Sequence, residues 1–449
     1  MKIFYKRIKI INNNYPSKKN KRFSRIKYSR SRNNKYKYIC FLIFIMLIII
    51  TIPNIIVLIF NRSIFNFFKA LKLKKNISKY NYEEKYPNLK ESFNNAKDFL
   101  DKCIKGILIN NQKIKPSIKP KATAIIPIYN CKNTISRAIK SIQNQNMTDL
   151  EIILVNDYSK NETLSIIEQL QKEDPRIIII NNKKNMGTLY SRSIGAMAAK
   201  GEYIFNLDND DMVLDKDVYY TITNYADKTG FDIIGFKAVY SCYGPNILTN
   251  KIKENYFSHQ TRDHVLLQPE LGDYPIRVDE SLRMFYFSDT FLWTKCIKTK
   301  IYQNALNKFS EEKYSRYMVI WEDVIATYFL YNTAEAMKYI GKYGTLHIKT
   351  RGSGSKTRIS KLESNSYLLY LIDTVIDFGK DTLNNRKVLI TLIKDFLGKK
   401  ELKEILNYKE YNKNILISCV DKLLSMKYLS NDDKERIRKK VAKLNLLKK

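Results

Sequence analysis

A chain of 449 residues with 44% hydrophobic content can bury the core of one large domain and still carry appendages. Its formal net charge of +35 raises nucleic acid as a partner, but the cations are not gathered into one stripe and no nucleic-acid recognition module is legible. The six cysteines (Cys40, Cys103, Cys131, Cys242, Cys296, Cys419) are scattered without a Cys-x-x-Cys pair, which gives no zinc site and no disulfide framework and leaves room for one or two bridges that the sequence does not pair.

Residues 1–37 hold fourteen Lys or Arg and no Asp or Glu, a basic tail that cannot fold alone. Tyr38 to Phe60 then runs without a charged residue, long enough at roughly twenty apolar residues to cross a bilayer and lacking the polar face of a core helix. Pro53 and Asn54 are expected to kink it, and no small-residue cleavage site follows. The positive-inside bias keeps the tail in the cytosol and predicts a single transmembrane signal anchor over 38–60 with a lumenal body, although Arg62, Lys69 and Lys72 reduce the asymmetry. Sequons at Asn76, Asn146 and Asn161 agree with that side. Residues 61–120 are rich in Lys and Asn, broken by Pro87, Pro116 and Pro120, and read as a stem.

From Lys121 the texture changes. Apolar runs at Ala122–Ile128, Glu151–Val155, Ile177–Ile180 and Tyr203–Leu207 alternate with helix-like segments at Ile135–Ile142, Leu164–Leu170 and Leu189–Ala199, and Asp232–Phe236 adds another strand. That alternation predicts an α/β fold, a doubly wound and mostly parallel sheet flanked by helices. Residues 121–360 form the predicted domain, and 361–449, where apolar residues return at helical spacing, a helical C-terminal extension without a chemical motif.

In such a sheet ligands lie beyond the carboxyl ends of the strands. Tyr129, just past Pro127, presents a ring suited to stacking on a base, or ordinary edge packing. Asp157 can accept the imide N–H of uracil; alternatively Asp157 or Ser159 caps the next helix. Gly187 suits a tight turn before a helix, with Arg192 one turn further on. The run Asp208-Asn209-Asp210-Asp211 puts two carboxylates one residue apart at the end of a buried strand, where they can hold a hard divalent cation against a diphosphate.

The segments Ala124-Ile-Ile-Pro-Ile-Tyr-Asn130, Val155-Asn-Asp-Tyr-Ser159, Asn185-Met-Gly187, Arg192, Gly201-Glu-Tyr-Ile204 and Asp208-Asn-Asp-Asp211 resemble, in order and spacing, the successive motifs of the family-2 glycosyltransferases. The resemblance covers about Lys121 to Phe236. It implies a GT-A fold, a nucleotide-sugar donor (a UDP-sugar), Mn²⁺ or Mg²⁺, and inversion at the anomeric carbon. By that resemblance Pro127 and Tyr129 line the nucleoside pocket and Asp157 binds the base. Gly187 and Arg192 belong to the donor site, Asp208 contacts ribose or metal, and Asp210 ligates the metal. Asn156 stands where many relatives have Asp, and Ser193 where many have Asn.

Farther on, Glu322-Asp323 precedes a helix-like run, and an inverting transfer needs a carboxylate to take the acceptor's proton. The family frequently has a Glu-Asp pair there, which nominates Asp323 as the base with Glu322 beside it; an acidic first helical turn is the structural alternative. His347 could complete the metal shell, a structural strand histidine being the alternative, and Arg351 in a glycine-rich loop could balance leaving-group charge. The expected protein is a membrane-anchored hexosyl- or N-acetylhexosaminyl-transferase of the Golgi or endoplasmic reticulum, acting on a glycan, glycoprotein or glycolipid and not on nucleic acid. A processive synthase is disfavoured, because neither Trp293 nor Trp321 lies in a QxxRW run and no second apolar span follows. A catalytically silent scaffold of the same fold is the rival from another class.

Overall fold

In the computed structural model the run Ala-Thr-Ala-Ile-Ile-Pro-Ile is strand β1 (Ala122–Ile128), buried along its whole length. It pairs in parallel with β2 (Leu150–Asn156) and with β4 (Tyr203–Asn206), and β2 pairs in parallel with β3 (Ile177–Asn181). Both faces are covered, so β1 and β2 read as continuous apolar runs instead of alternating ones. Period two still assigns the faces. Ala124, Ile126 and Ile128 pack with Ile135, Ile139 and Ile142 of the helix Ile135–Gln143. Ile125 packs on the other side with Leu189 and Ala196 of the helix Thr188–Ala198.

The structure describes residues 68–444 except 70, 74, 77–88, 110–115, 161, 243–251, 255–265, 268–275, 280–283, 288, 319, 350–360, 380–381, 410–411 and 428. The basic tail, the apolar segment 38–60, Asn161 and Arg351 lie outside them. Among the described residues no helix is long and apolar enough to cross a membrane.

Further strands follow: β5 (Met212–Val213), β6 (Ile233–Cys242), β7 (Ile252–Glu254), β8 (Leu266–Leu267), β9 (Ile276–Asp279), β10 (Met284–Phe287), β11 (Lys295–Lys298) and β12 (Ala336–Lys349). The main sheet runs β3-β2-β1-β4-β11-β6-β12-β5, with β7 on β6 and β8 on β12, while β9 and β10 pair apart. The expectation of a mostly parallel sheet holds for one half. β11 is antiparallel to both its neighbours and β5 is antiparallel to β12. β11 arrives from the β9–β10 pair without a crossover helix, so nothing compels parallel pairing. The chain goes from β1 outward to β2 and β3, then returns to β4 on the other side of β1. That switch point opens a crevice at the carboxyl ends of β1, β2 and β4.

Two segments depart from the sequence reading. The helix Leu89–Ile104, inside the stretch read as a stem, buries Phe93, Ala96, Leu100 and Cys103 against Met212, Leu214 and Leu346. Their spacing of three and four residues makes one apolar helical face. The C-terminal helices do form, but they share one apolar cluster with Ile125 and Val155. At their centre is Lys361–Phe378, where Tyr367 through Ile372 are all buried, as expected of a helix enclosed by others.

Candidate active site

The acidic turn begins where β4 leaves β1. Leu207 N donates to Ile125 O at 3.0 Å, and Asp211 N donates back to Asp208 O at 3.1 Å. Pro127, two residues beyond Ile125, has no N–H to offer this side, and its carbonyl accepts from Asn209 Nδ2 at 2.9 Å. Pro127 is therefore a buried strand residue whose carbonyl fastens the acidic turn.

Oxygens of Asp208, Asp210 and Asp211 come within 4.8 Å of one another. Asp211, which the sequence reading left without a role, is fully buried and ties the turn to β12. Its Oδ1 accepts from Ile348 N at 2.9 Å and its Oδ2 bonds His347 Nδ1 at 2.9 Å. The imidazole is stacked on the Trp293 indole, with centroids 5.1 Å apart and planes 7° apart. Burial disfavours the imidazolium, but the carboxylates of Asp211, Asp208 and Asp210 outweigh it and push the His347 pKa up to about 9. Arg137, also missed in the sequence, donates Nη2 to the Asp210 carbonyl at 2.8 Å. The donor set suits a hard divalent cation: carboxylate oxygens from Asp208 and Asp210, with a histidine whose other ring nitrogen is bonded to a carboxylate.

Arg192 does not face outward. It is 2% exposed and its guanidinium joins three carboxylates. One nitrogen bonds Asp208, another bonds Asp323, and Glu322 lies 3.5 Å away. Burial alone would lower its pKa, yet Asp323, Asp208 and Glu322 raise it above the ordinary arginine value, so it stays charged. The expected donor-facing cation is instead an internal bridge between the acidic turn and the first turn of the helix Glu322–Thr333. Burial, then the neighbouring Asp323 charge, lift Glu322 to about 8. Burial also raises Asp323, with Arg192 pulling it back. Asp323 is the member of the pair that the guanidinium touches closely, and so the one more readily kept ionised at neutral pH.

Asp157 closes the loop after β3. Its Oδ1 accepts from Met186 N at 2.7 Å and Asn182 Nδ2 at 2.8 Å, and its Oδ2 accepts from Gly187 N at 2.8 Å. It caps no helix; the residue before the helix Thr163–Glu173 is Glu162. Ser159 is not a cap either, since its hydroxyl accepts from Asn130 N at 3.2 Å and ties the β1 and β2 loops together. Among the described residues only Gly187 N bonds Asp157 Oδ2, which leaves one acceptor position on that oxygen. Gly187 has φ +86°, and a Cβ there would stand 2.6 Å from Met318 O. Met318 O also accepts from Thr188 N at 3.1 Å, which brings the segment before the Glu322 helix against the donor-side loop. Tyr129 is 45% exposed at the mouth of this loop cluster.

Behind the helix lies a second ion pair that the sequence did not announce. Lys295, fully buried, places Nζ 3.2 Å from Asp289 Oδ1 and 2.6 Å from Phe291 O. Burial lowers the Lys295 pKa and raises that of Asp289. The loop between them carries Trp293.

Residues 123–277 match the profile of "Glycosyl transferase family 2". The GalNAc(5)-diNAcBac-PP-undecaprenol beta-1,3-glucosyltransferase of Campylobacter jejuni is 41% identical over 96 residues, 21% of this chain and 31% of that protein. The cholesterol galactosyltransferase of Borreliella burgdorferi is 27% identical over 269 residues, 58% of this chain and 68% of that protein. The matches thus span less than two thirds of the first curated relatives, 31% and 29% of two of them. A crystal structure of S. aureus TarS 1-349 in complex with UDP-GlcNAc aligns with TM-score 0.48 and 17% identity, over 72% of this chain and 88% of that one.

Proposed function

We propose that the protein is a glycosyltransferase that moves a sugar from a nucleoside-diphosphate donor to an acceptor hydroxyl with inversion. The observation that carries this reading is the Arg192 bridge, which couples the acidic turn that would face the donor diphosphate to the Glu322-Asp323 pair that would face the acceptor. The match of residues 123–277 to a glycosyltransferase family supports the same reading.

In the proposed reaction the acceptor oxygen attacks the anomeric carbon. The bond from that carbon to the diphosphate oxygen breaks, its electron pair leaves with the diphosphate, and the acceptor proton passes to Asp323. Arg192 holds Asp323 ionised and aimed. Asp208 and Asp210, with His347 as a further ligand braced by Asp211, would hold Mn²⁺ or Mg²⁺, which supplies neutralisation of the departing diphosphate. The open acceptor position on Asp157 favours a base with an N–H beside carbonyls, as uracil has, and Tyr129 would stack on it. The acceptor is proposed to be a hydroxyl of a glycan, glycoprotein or glycolipid, and the segment 38–60 to anchor the enzyme in a membrane with this domain on the lumenal side.

The test is a donor-hydrolysis screen of the full chain against a panel of nucleotide sugars with and without Mn²⁺, run alongside Asp210→Asn and Asp323→Asn. Metal-dependent turnover of one donor, lost in both variants, is the expected result. Folded protein that neither binds nor turns over any donor would instead identify a silent scaffold.

A further inference from the structure

The C-terminal helices hold a cavity that shares no residue with the crevice. It lies between the helix Leu383–Leu397 and the helix Asn431–Ala442, has a volume of about 190 Å³ and is open to solvent on one side. Ile393, Leu397, Leu429 and Ile437 line its interior. An apolar cavity of about 150 Å³ accepts a six-carbon ring, so this one has room for a short run of hydrocarbon.

Its mouth is basic. Lys394, Arg436 and Lys440 belong to the lining and are exposed, which puts them at the opening. Among the described residues Asp433 is the one acid of the lining, and its carboxylate is already engaged: one oxygen lies 3.3 Å from Lys394 Nζ and the other accepts from Ser430 Oγ, the cap of the helix, at 2.9 Å. Lys440 Nζ donates to a neutral partner, Leu397 O, at 3.4 Å. Three cations against one carboxylate leave an excess of two positive charges. On the first helix Leu383, Lys387, Ile390, Lys394 and Leu397 recur at steps of four and three residues, which sets them on one face, and Leu383 is 66% exposed there. An apolar strip interleaved with lysines suits a lipid surface, where the lysine stems run along hydrocarbon and the ammonium groups reach phosphate. Charge also chooses among occupants. The chain's own last residues, Asn445-Leu-Leu-Lys-Lys449, bring two more cations and no acid, and a second copy of a chain of net charge +35 is repelled overall.

We propose that this cavity binds an anionic membrane phospholipid, one acyl chain entering among Ile393, Leu397, Leu429 and Ile437 while the phosphate is held by Arg436 and Lys440, four residues apart on one helical face. Binding here would seat the C-terminal extension on a lipid surface, a role for it that is independent of the donor chemistry. The proposed anchor over 38–60 would keep such lipids at hand.

The experiment is photo-crosslinking of the full chain in phosphatidylcholine vesicles that contain a phosphatidylglycerol probe with a diazirine at the end of one acyl chain, the labelled peptides being identified by mass spectrometry. The wild type is compared with Leu397→Trp, which fills the cavity, with the double variant Arg436→Gln, Lys440→Gln, and with the control Lys172→Gln on the helix Thr163–Glu173. Label is expected on the helices Leu383–Leu397 and Asn431–Ala442 of the wild type and of Lys172→Gln. Each cation near an anionic lipid is worth about a factor of five, so the double variant should lose about fivefold or more of that label, and Leu397→Trp should lose most of it. A phosphatidylcholine probe with the same acyl chain should label these helices severalfold less than the phosphatidylglycerol probe. Because the double variant changes only exposed side chains, it separates lipid recognition from misfolding. Label confined to 38–60, or label on the two helices that is equal for both probes and unchanged in the double variant, overturns the proposal.

Discussion

Replacing Arg192 with methionine keeps the volume and removes the charge that three carboxylates share. The guanidinium is 2% exposed and its partners Asp208, Glu322 and Asp323 are 29%, 14% and 18% exposed, so water would compensate them only in part. Breaking a buried ion pair by removing one partner costs about 3–5 kcal/mol, and that is the loss expected at pH 7. The penalty should shrink in acid. Without Arg192, Asp323 retains its proton to higher pH when folded than when unfolded, so the variant gains stability as pH falls. One extra bound proton changes stability by at most about 1.4 kcal/mol per pH unit, so the deficit should be smaller at pH 5 than at pH 7. Urea denaturation of wild type and Arg192→Met at both pH values measures this. A deficit under about 1 kcal/mol at pH 7, or one that does not change with pH, would refute the claim that this cation holds the three carboxylates together.

Other outcomes follow from the same geometry. Glu322 titrates near 8 in the folded state, above an ordinary carboxyl, so its protonated form favours folding. That contribution is whole below the unfolded value and is lost as pH rises through about 8; Glu322→Gln should therefore flatten the decline of wild-type melting temperature between pH 6 and 9. Gly187→Ala must fit a methyl 2.6 Å from Met318 O at φ +86°, and should cost about 1–3 kcal/mol in chemical denaturation, an unchanged midpoint being the contrary result. Trp293→Leu removes the shelf under His347 and should weaken Mn²⁺ binding, read by electron paramagnetic resonance, by about 10–100-fold, while Trp293→Phe retains most of it. Lys295→Met strands Asp289 and should cost about 3–5 kcal/mol, most of which the double variant Lys295→Met, Asp289→Leu recovers; equal losses in the single and double variants would mean that the ion pair is not the reason.

The sequence displays what is local and hides what is assembled. Strands β1 to β4 and the acidic turn are continuous in the chain, so an apolar run followed by carboxylates is enough to read them. Arg192 was legible as a cation one turn past Gly187, but which way it points depends on Glu322 and Asp323, some 130 residues later, folding over it. The Pro127 contact with the acidic turn is hidden for a similar reason: it is decided by where β4 leaves β1, which no feature of β1 itself records. The helix Leu89–Ile104 was within reach, since Phe93, Ala96, Leu100 and Cys103 recur at helical spacing, yet the surrounding Lys and Asn made it look like a linker.

Electrostatics joins the two ends of the site. Five carboxylates, those of Asp208, Asp210, Asp211, Glu322 and Asp323, are arranged around two guanidinium groups, Arg137 and Arg192. Such an excess of negative charge in a half-buried crevice holds protons: burial and the neighbouring Asp323 lift Glu322 to about 8, and the carboxylates around His347 lift it to about 9 against the opposing effect of burial. It also repels a diphosphate. A divalent cation between Asp208 and Asp210 would reverse that balance, attracting the diphosphate and displacing the imidazolium as counter-ion, while Arg192 keeps Asp323 ionised on the far side. Metal and donor should accordingly bind as a linked pair, each raising affinity for the other by the same factor, and the bridge through Arg192 makes the readiness of Asp323 sensitive to whether Asp208 is neutralised.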